Sequence, residues 1–333
     1  MPSSPSAQGV ARHHGGVDPP PAVEAVGLTR RFGRGAGTVV AVDGLDLTVP
    51  AGSVYGLIGP NGAGKTTAIR LLTGLLTPSG GRASVAGASL DRPQEVKART
   101  GYANQAVSVY ADLSVEENLA FRAALYLDRR EARRAVERVL DEFLLDSQRS
   151  RVAATLSGGW RQRLAIACAV VHGPSVAFLD EPTANVDPVG RRALWDLMYE
   201  LARGGMTVVV STHAMEEAER CSRLALLARG KLLVEGTPAE VRAATPGVYY
   251  RLVPRDLLVA LGDARGVPGV RDVWVEGTSL RLAADEPLRE ADLEALGDRV
   301  ERVGPSLEDA FVRATGERRA SGAQVEPAAR SAP

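Results

Sequence analysis

Residues 59–67 read GPNGAGKTT, which fits the phosphate-loop pattern G-x-x-x-x-G-K-[ST]. An apolar run over Val54–Ile58 precedes the stretch and a helical pattern follows it, which is the strand–loop–helix context in which this pattern binds phosphate. Its glycines allow backbone N–H groups to point at a chain of phosphates at a helix N-terminus. The stretch therefore predicts a nucleotide site, with Lys65 facing the β- and γ-phosphates and the Thr66 hydroxyl on Mg²⁺.

A second apolar run, Val176–Leu179, ends in two carboxylates, Asp180 and Glu181. Adjacent residues on a strand point to opposite sides, which suits two separate roles. We expect Asp180 to ligate Mg²⁺ and Glu181 to polarise the water that attacks the γ-phosphate. Such a strand end alone is a weak signal, but after a phosphate loop it indicates an ATP-hydrolysing site.

Residues 156–159 read LSGG, a motif that most phosphate-loop proteins lack. Along the chain the phosphate loop comes first, the LSGG motif second and the Asp180-Glu181 pair third. With its motifs in this order, the sequence over residues 23–240 resembles the ATP-binding subunit of an ABC transporter. Over the whole chain, the sequence is similar to drug-export ATPase subunits of the daunorubicin-resistance type, a narrower match that rests on fewer residues. In this family the LSGG motif caps the γ-phosphate bound by the other subunit of a dimer.

The resemblance implies roles for residues that would otherwise pass as ordinary core or surface positions. Gln105 is expected to contact Mg²⁺, the attacking water and a membrane partner, and Asp187 lies in the D-loop. His213 is expected to contact the γ-phosphate and to support Glu181. Phe32 occupies the aromatic position that stacks on adenine.

The predicted site residues fall into three sets. The catalytic set is Glu181, His213, Gln105 and Lys65. The nucleotide-binding set is Phe32, Gly59, Pro60, Asn61, Gly62, Ala63, Gly64, Lys65, Thr66, Thr67, Ser157, Gly158, Gly159 and Asp187. The metal-binding set is Thr66, Gln105 and Asp180, and the expected cofactors are ATP and Mg²⁺.

The sequence departs from the family pattern at three places. Trp160 follows the signature where Gln or Met is common, and Asn104 precedes Gln105 where Pro is frequent. Asn185 and Val186 replace the commoner Gly-Leu of the D-loop. These departures bear on coupling and on contacts across a dimer, whereas the residues expected to bind ATP all match.

Composition limits the partners. The chain has 333 residues, with 40 Lys and Arg against 40 Asp and Glu, so no electrostatic footprint favours nucleic acid or a membrane surface. Cys168 and Cys221 have no CxxC or Cys/His companion and are expected to be small buried apolar residues. No stretch approaches the ~20 apolar residues that span a bilayer.

Patterning along the chain predicts an α/β fold of four parts. These are a disordered lead over 1–21, an ATP-binding domain over 22–245 with a helical subdomain at about 106–160, an α+β unit over 246–316 and a disordered tail over 317–333. The ATP-binding domain is expected to be a RecA-like phosphate-loop core with an antiparallel β subdomain. The α+β unit reads βαββαβ, the ferredoxin-like order.

The antiparallel subdomain is predicted from short β-like runs broken by glycine-containing turns, over Val23–Leu28, Thr38–Val42 and Leu45–Val49. Buried parallel strands are expected over Ser175–Leu179, Thr207–Val210 and Leu224–Leu227.

The resemblance implies a head-to-tail homodimer around two ATP–Mg²⁺ that drives a separate multi-helix permease from the cytoplasmic face of the membrane. The expected result is export of a small molecule, such as a drug, an antibiotic or a lipid-like compound. One alternative is a soluble ABC ATPase acting on ribosomes or DNA, although these usually fuse two cassettes or insert a long coiled coil. A nucleotide-binding regulator without hydrolysis is another, against which Glu181 argues.

Overall fold

The computed structural model describes residues 20–33, 35–104, 109–297 and 299–316. Its strands are β1 (Val23–Phe32), β2 (Val39–Val49), β3 (Val54–Ile58), β4 (Gly80–Val85), β5 (Ala88–Ser89), β6 (Thr100–Ala103), β7 (Val176–Asp180), β8 (Thr207–Thr212), β9 (Arg223–Ala228), β10 (Lys231–Gly236), β11 (Val248–Val253), β12 (Val270–Glu276), β13 (Ser279–Ala284) and β14 (Arg299–Val303). Its α-helices are α1 (Lys65–Leu72), α2 (Pro93–Arg99), α3 (Val115–Ala124), α4 (Arg129–Glu142), α5 (Gly158–Val170), α6 (Pro188–Arg203), α7 (Met215–Ala218), α8 (Pro238–Ala243), α9 (Leu257–Gly266), α10 (Glu290–Leu296) and α11 (Leu307–Thr315).

The first sheet is antiparallel, in the order β2-β1-β4-β5. The predicted break between Thr38–Val42 and Leu45–Val49 is wrong, because β2 runs through it as one strand. Gly44 has φ 64°, its N–H donates to Thr29 Oγ1, and the pairing of β1 with β2 shifts register here. The glycine therefore forms a β-bulge inside the strand instead of a turn between two strands.

The central sheet has the order β10-β9-β3-β8-β7-β6, and its pairs are parallel except for the antiparallel edge pair β10–β9. Every residue of β3, β7 and β8 is buried, which explains the apolar runs Val54–Ile58, Val176–Leu179 and 208–210 in them. Ile58 pairs with Thr212, and Asp180 pairs with Ser211, so the C-terminal ends of β3, β8 and β7 lie at one edge of the sheet. In open α/β sheets this edge is where ligands bind.

The helices α3 and α4 form the predicted insertion. Each begins with a capping box, Ser114 with Glu117 and Asp128 with Glu131, which satisfies backbone donors of the first turn. Their apolar faces belong to the same buried cluster as α5, through residues including Val115, Leu119, Val136, Leu140 and Leu164. The insertion thus packs directly on the helix that follows the LSGG motif.

The C-terminal strands form a third sheet in the order β12-β13-β11-β14, all antiparallel, as the predicted ferredoxin-like pattern requires. It has its own apolar cluster, which includes Leu252, Leu280 and Leu282. The predicted boundary between residues 245 and 246 falls between α8 and β11, and the independence of the two parts stays a prediction.

The helix α11 packs differently from the rest of the predicted 246–316 unit. Leu307 and Ala310 are buried in the cluster of the ATP-binding part, together with Ala218 and Val241 of α7 and α8. A buried ion pair, Arg281 Nη2 to Asp309 Oδ2 at 2.9 Å, joins α11 to β13. The last helix therefore connects the C-terminal sheet to the nucleotide-binding core.

Candidate functional site

The phosphate loop joins β3 to α1, and two of its glycines are required by their surroundings. A Cβ on Gly59 would lie 2.2 Å from the Leu227 carbonyl oxygen, and one on Gly64 would lie 2.4 Å from the Ala41 carbonyl oxygen. Gly64 also has φ 103° at the start of α1. A side chain at either position would push the loop away from the sheet, so the GPNGAGK pattern is needed for the loop to fold here. The predicted residues Pro60, Asn61, Gly62, Ala63, Thr66 and Thr67 lie in this loop and in the first turn of α1.

Lys65 is the first residue of α1, and its side chain is 5% exposed. Its Nζ donates to the carbonyl oxygens of Gly59 and Pro60, at 2.8 and 3.2 Å, and lies 3.6 Å from Glu181 Oε1. Burial lowers the pKa of Lys65, and the Glu181 carboxylate opposes that shift only in part. The ammonium is therefore held at the loop with little water around it.

Asp180 and Glu181 lie at the end of β7, and both are tied to Ser211 on the adjacent strand. Ser211 Oγ donates to Asp180 Oδ1 and accepts a hydrogen bond of 3.0 Å from the Glu181 N–H. Asp180 is the last strand residue, whereas Glu181 has φ 50°. The expected alternation along a strand is thus not what separates the two carboxylates. A left-handed turn, rare outside glycine, directs Glu181 away from the strand.

His213 completes a three-residue group at the C-terminal edge of the sheet. Its Nδ1 lies 3.3 Å from Glu181 Oε1, the same oxygen that faces Lys65 Nζ. The His213 side chain is 55% exposed, whereas the Glu181 side chain is 11% exposed. One carboxylate oxygen therefore stands between a buried ammonium and an imidazole that is open to a ligand.

The predicted signature and D-loop residues form a second group. Ser157 is the N-cap of α5, but its hydroxyl makes no capping hydrogen bond. A Cβ added to Gly159 would lie 3.7 Å from Val186 Cγ1, so the signature lies beside the D-loop of its own chain. Asp187 caps α6, where its Oδ1 accepts from the N–H groups of Val189 and Gly190 at 3.1 and 2.9 Å.

Phe32 lies at the end of β1 and is 39% exposed. The guanidinium carbon of Arg30 lies 4.7 Å from the centre of its ring. Arg30 is anchored by a hydrogen bond of 2.6 Å to the Thr77 carbonyl oxygen. The ring is thus supported by a cation while part of its surface remains open.

Comparisons with known proteins agree with this geometry. The family model described as ABC transporter matches residues 42–184. The chain is 37% identical over 314 residues, 89% of its length and 96% of the relative's, to a daunorubicin resistance ATP-binding protein, DrrA2, of Streptomyces coeruleorubidus.

The chain belongs to the ABC transporter family, as one of its ATP-binding ATPases.

Two further matches support the same family. The probable multidrug ABC transporter ATP-binding protein YbhF of Escherichia coli K12 is 41% identical over 223 residues, which are 66% of this chain but only 38% of YbhF. The solved structure of cbiO1 from Clostridium perfringens, part of the ABC transporter complex cbiONQ, matches with a TM-score of 0.62 at 26% identity, covering 68% of this chain and 92% of that one. The predicted fold class and family are confirmed.

Three structural findings complete the description of this ABC ATPase. Gln105 lies outside the described residues, so its predicted role stays a prediction. Trp160 is partly buried against the core and lies 5.2 Å from the guanidinium carbon of Arg163, so it packs at the start of α5. In the described ranges, no helix is both long enough and apolar enough to cross a membrane.

The next feature is the set of side chains that could ligate Mg²⁺. No group of three or more His, Cys, Asp and Glu side chains in the part of the chain that the structure describes could hold a metal. Asp180 is almost fully buried, and the Thr66 hydroxyl is part of the phosphate loop, so both offer oxygen donors of the kind Mg²⁺ prefers. These residues fit an ion that takes its remaining ligands from ATP and water.

Sequence reasoning missed Ser211 and Glu217. Ser211 precedes Thr212 and His213, and this polar end of a buried strand is the signal that points to it. Glu217 is buried four residues after His213, and the sequence does not distinguish it from the exposed Glu216 beside it.

Proposed function

We propose that this chain is the ATP-hydrolysing subunit of an ABC exporter, with Glu181 as the residue that activates water. The observation that carries the proposal is the single oxygen, Glu181 Oε1, that faces both Lys65 Nζ and His213 Nδ1. A carboxylate fixed between a phosphate-binding cation and an open imidazole is placed to orient a water beside the γ-phosphate.

In this proposal the water oxygen bonds to the γ-phosphorus while the bond from that phosphorus to the bridging oxygen of ADP breaks. The Glu181 carboxylate accepts a hydrogen bond from the water, and the proton that the water loses passes to the carboxylate or to the released phosphate. Lys65 neutralises charge on the β- and γ-oxygens, and His213 faces the γ-phosphate. When bound through Thr66 and Asp180, Mg²⁺ supplies further neutralisation of the phosphate oxygens.

The second group, the signature and D-loop residues, supports the proposal of a head-to-tail homodimer. The N-terminal end of α5, a helix of 13 residues, carries the Ser157 hydroxyl with no capping bond and the exposed Gly158. A helix N-terminus with spare donors attracts an anion, and the γ-phosphate bound at the phosphate loop of a second copy is such an anion. Each chain would then supply one half of two ATP sites.

Export through a separate permease at the cytoplasmic face of the membrane is proposed from the relatives. The DrrA2 match, which spans nearly all of both chains, is named for daunorubicin resistance, and YbhF is named as a multidrug transporter protein. A small organic cargo of the drug type is the class these names support. They lend no support to the alternative of an ATPase acting on ribosomes or DNA.

The test is phosphate release by the purified full-length chain with ATP and Mg²⁺. Glu181→Gln keeps the shape and the neighbouring Asp180 but removes the charge, so turnover should fall on the order of 10²-fold while ATP stays bound. Glu216→Gln, an exposed position on α7, is the matched control and should leave turnover unchanged. A Glu181→Gln protein that keeps more than about a third of the wild-type rate would overturn the assignment of the general base.

A further inference from the structure

Glu217 is a buried carboxylate that the proposed reaction does not use. It lies on α7, and its side chain is 5% exposed. Its Oε1 accepts a hydrogen bond of 2.6 Å from Thr183 Oγ1, and its Oε2 accepts one of 2.7 Å from Thr212 Oγ1. The two carboxylate oxygens therefore accept from hydroxyls of two different segments, the loop after β7 and the end of β8.

The two threonines lie next to the residues assigned to catalysis. Thr212 immediately precedes His213, and Thr183 follows Glu181 by two positions. Thr212 Oγ1 also accepts a hydrogen bond of 3.0 Å from the Ala214 N–H, so its own hydrogen is free to point at Glu217. The Glu217 side chain thus joins the loop after β7 to the last residue of β8, close to the site where Glu181 meets His213.

A helix also reaches the same carboxylate. Arg191 Nε lies 3.7 Å from Glu217 Oε1, which is an ion-pair distance but too long for a hydrogen bond. Arg191 belongs to the first turns of α6, the helix that Asp187 caps. The guanidinium offsets part of the cost of burying the charge, and it ties the D-loop helix to the same point.

We propose that Glu217 is a positioning residue for ATP hydrolysis. Its carboxylate accepts from Thr183 and Thr212 and so fixes the separation of Glu181 and His213, without touching the nucleotide. The proposal rests on the roles proposed above for Glu181 and His213. Through Glu217, α7 holds the Glu181 carboxylate and the His213 imidazole so that both face the same γ-phosphate.

The chemistry requires a carboxylate rather than any polar side chain. Two donated hydroxyl hydrogens need an acceptor on each oxygen, and an ionised carboxylate offers both. A glutamine offers one carbonyl oxygen and one NH₂ group, so one threonine would have to turn its hydroxyl away or lose its partner. In a buried site an unmatched group is costly, and the loops would move to avoid it.

The experiment compares Glu217→Gln with Glu216→Gln in the full-length chain, by steady-state phosphate release and by ATP affinity. Displacing a catalytic group by a fraction of an ångström should lower kcat by about tenfold in Glu217→Gln, with KM and the ATP dissociation constant within about twofold of wild type. Glu216→Gln is exposed on the same helix and should match wild type in all three quantities. Unchanged kcat in Glu217→Gln would overturn the proposal.

A double-mutant cycle separates positioning from general support of the fold. Single-turnover phosphate release is measured for wild type, Glu217→Gln, His213→Ala and the double variant. If Glu217 acts through His213, its replacement should cost less than about twofold once the imidazole is gone. A full tenfold loss in the His213→Ala background would be additive, and it would overturn the proposal that Glu217 acts by fixing the separation of Glu181 and His213.

Two further variants cover a Glu217→Gln protein that does not fold. Thr183→Val and Thr212→Val keep the carboxylate and nearly the same volume but each remove one donated hydrogen bond. Each should lower kcat by several-fold with ATP affinity retained, and wild-type kcat in both would overturn the proposal. If Glu181→Gln hydrolyses ATP as well as wild type, the proposed role of Glu181 as general base itself fails, and that result is distinct from a failure confined to Glu217.

Discussion

The two halves of the proposed nucleotide site are built in opposite ways. On the phosphate-loop side, Lys65, Glu181 and His213 are already in contact, and Lys65 and Glu181 are largely shielded from water. On the signature side, Ser157 and Gly158 are exposed, and the Ser157 hydroxyl leaves its own helix end uncapped. The first half is organised before a nucleotide arrives, whereas the second half offers solvent-exposed donors that are available to an incoming anion.

This difference implies separate failures when each half is altered. Damage to the organised half should appear in a single chain, as lost affinity or lost hydrolysis. Damage to the open half should leave ATP binding by one chain intact and appear only when two chains meet. Substitutions in each half can therefore distinguish the two kinds of failure.

The largest effect is expected for Ser157→Arg. A bulky cation at the N-terminal end of α5 would fill the space into which the partner's γ-phosphate docks in the proposed dimer, so ATP-driven dimerisation should be lost. Turnover should fall on the order of 10²-fold, as for removal of transition-state donors, while the monomer binds ATP normally. Size-exclusion chromatography with ATP in a Glu181→Gln background makes the dimer visible. Dimerisation equal to that of the parent would contradict the shared-site arrangement.

Lys65→Ala tests the organised half and should weaken ATP binding by roughly 10- to 100-fold. The substitution removes the buried ammonium that faces the phosphates and leaves Glu181 without its cation. Calorimetric titration with ATP and Mg²⁺ measures the loss. Because the change acts within one chain, the same loss should appear in a Ser157→Arg protein that cannot dimerise. Unchanged affinity would mean that the ammonium does not meet the phosphates.

The organised half was largely predictable because its residues lie in short local patterns. Lys65 comes after the buried strand β3, Asp180 and Glu181 lie at the end of the buried strand β7, and parallel strands end at the same edge of a sheet. What could not be predicted depends on contacts between distant segments. Glu216 and Glu217 are equivalent in sequence until packing decides which one is buried.

The same limit applies to the fold. The bulge at Gly44 depends on the pairing of β2 with β1, and sequence alone reads that glycine as a turn. Leu307 comes after a sheet that has its own core, yet it packs in the cluster that contains Val241, which lies more than sixty residues earlier in the sequence. Local patterns thus predict elements and their ends, whereas tertiary contacts decide which elements are continuous and which core a helix joins.

Phe32→Ala should reduce ATP affinity by only about two- to tenfold, the range for one stacked aromatic ring. Phe32 is partly exposed and lies over Arg30, so removing it opens the base-binding surface without disturbing the phosphate contacts. Phe32→Tyr keeps the ring and is the matched control, with affinity close to wild type. Fluorescence titration with ATP and with inorganic triphosphate separates the two contributions. Equal losses for both ligands would contradict stacking on adenine.

The smallest effect is the pH dependence of ATP binding, and it belongs to the organised half alone. Burial lowers the pKa of Lys65 below that of an exposed lysine, with Glu181 opposing the shift. The charged form, which the phosphates favour, is complete below this lowered pKa and is lost as pH rises through it. ATP affinity should therefore fall several-fold as pH rises through the lowered pKa of Lys65, before a solvent-exposed lysine would lose its proton. Bound phosphates restore the charge, so calorimetry at the pH where affinity has begun to fall, in two buffers of different ionisation enthalpy, should show proton uptake on binding. Lys65→Arg keeps its charge throughout this range and should bind ATP without that uptake, however weakly it binds. Proton uptake that persists in Lys65→Arg would place the titrating group elsewhere, and its absence in wild type would show that the ammonium keeps its proton despite burial.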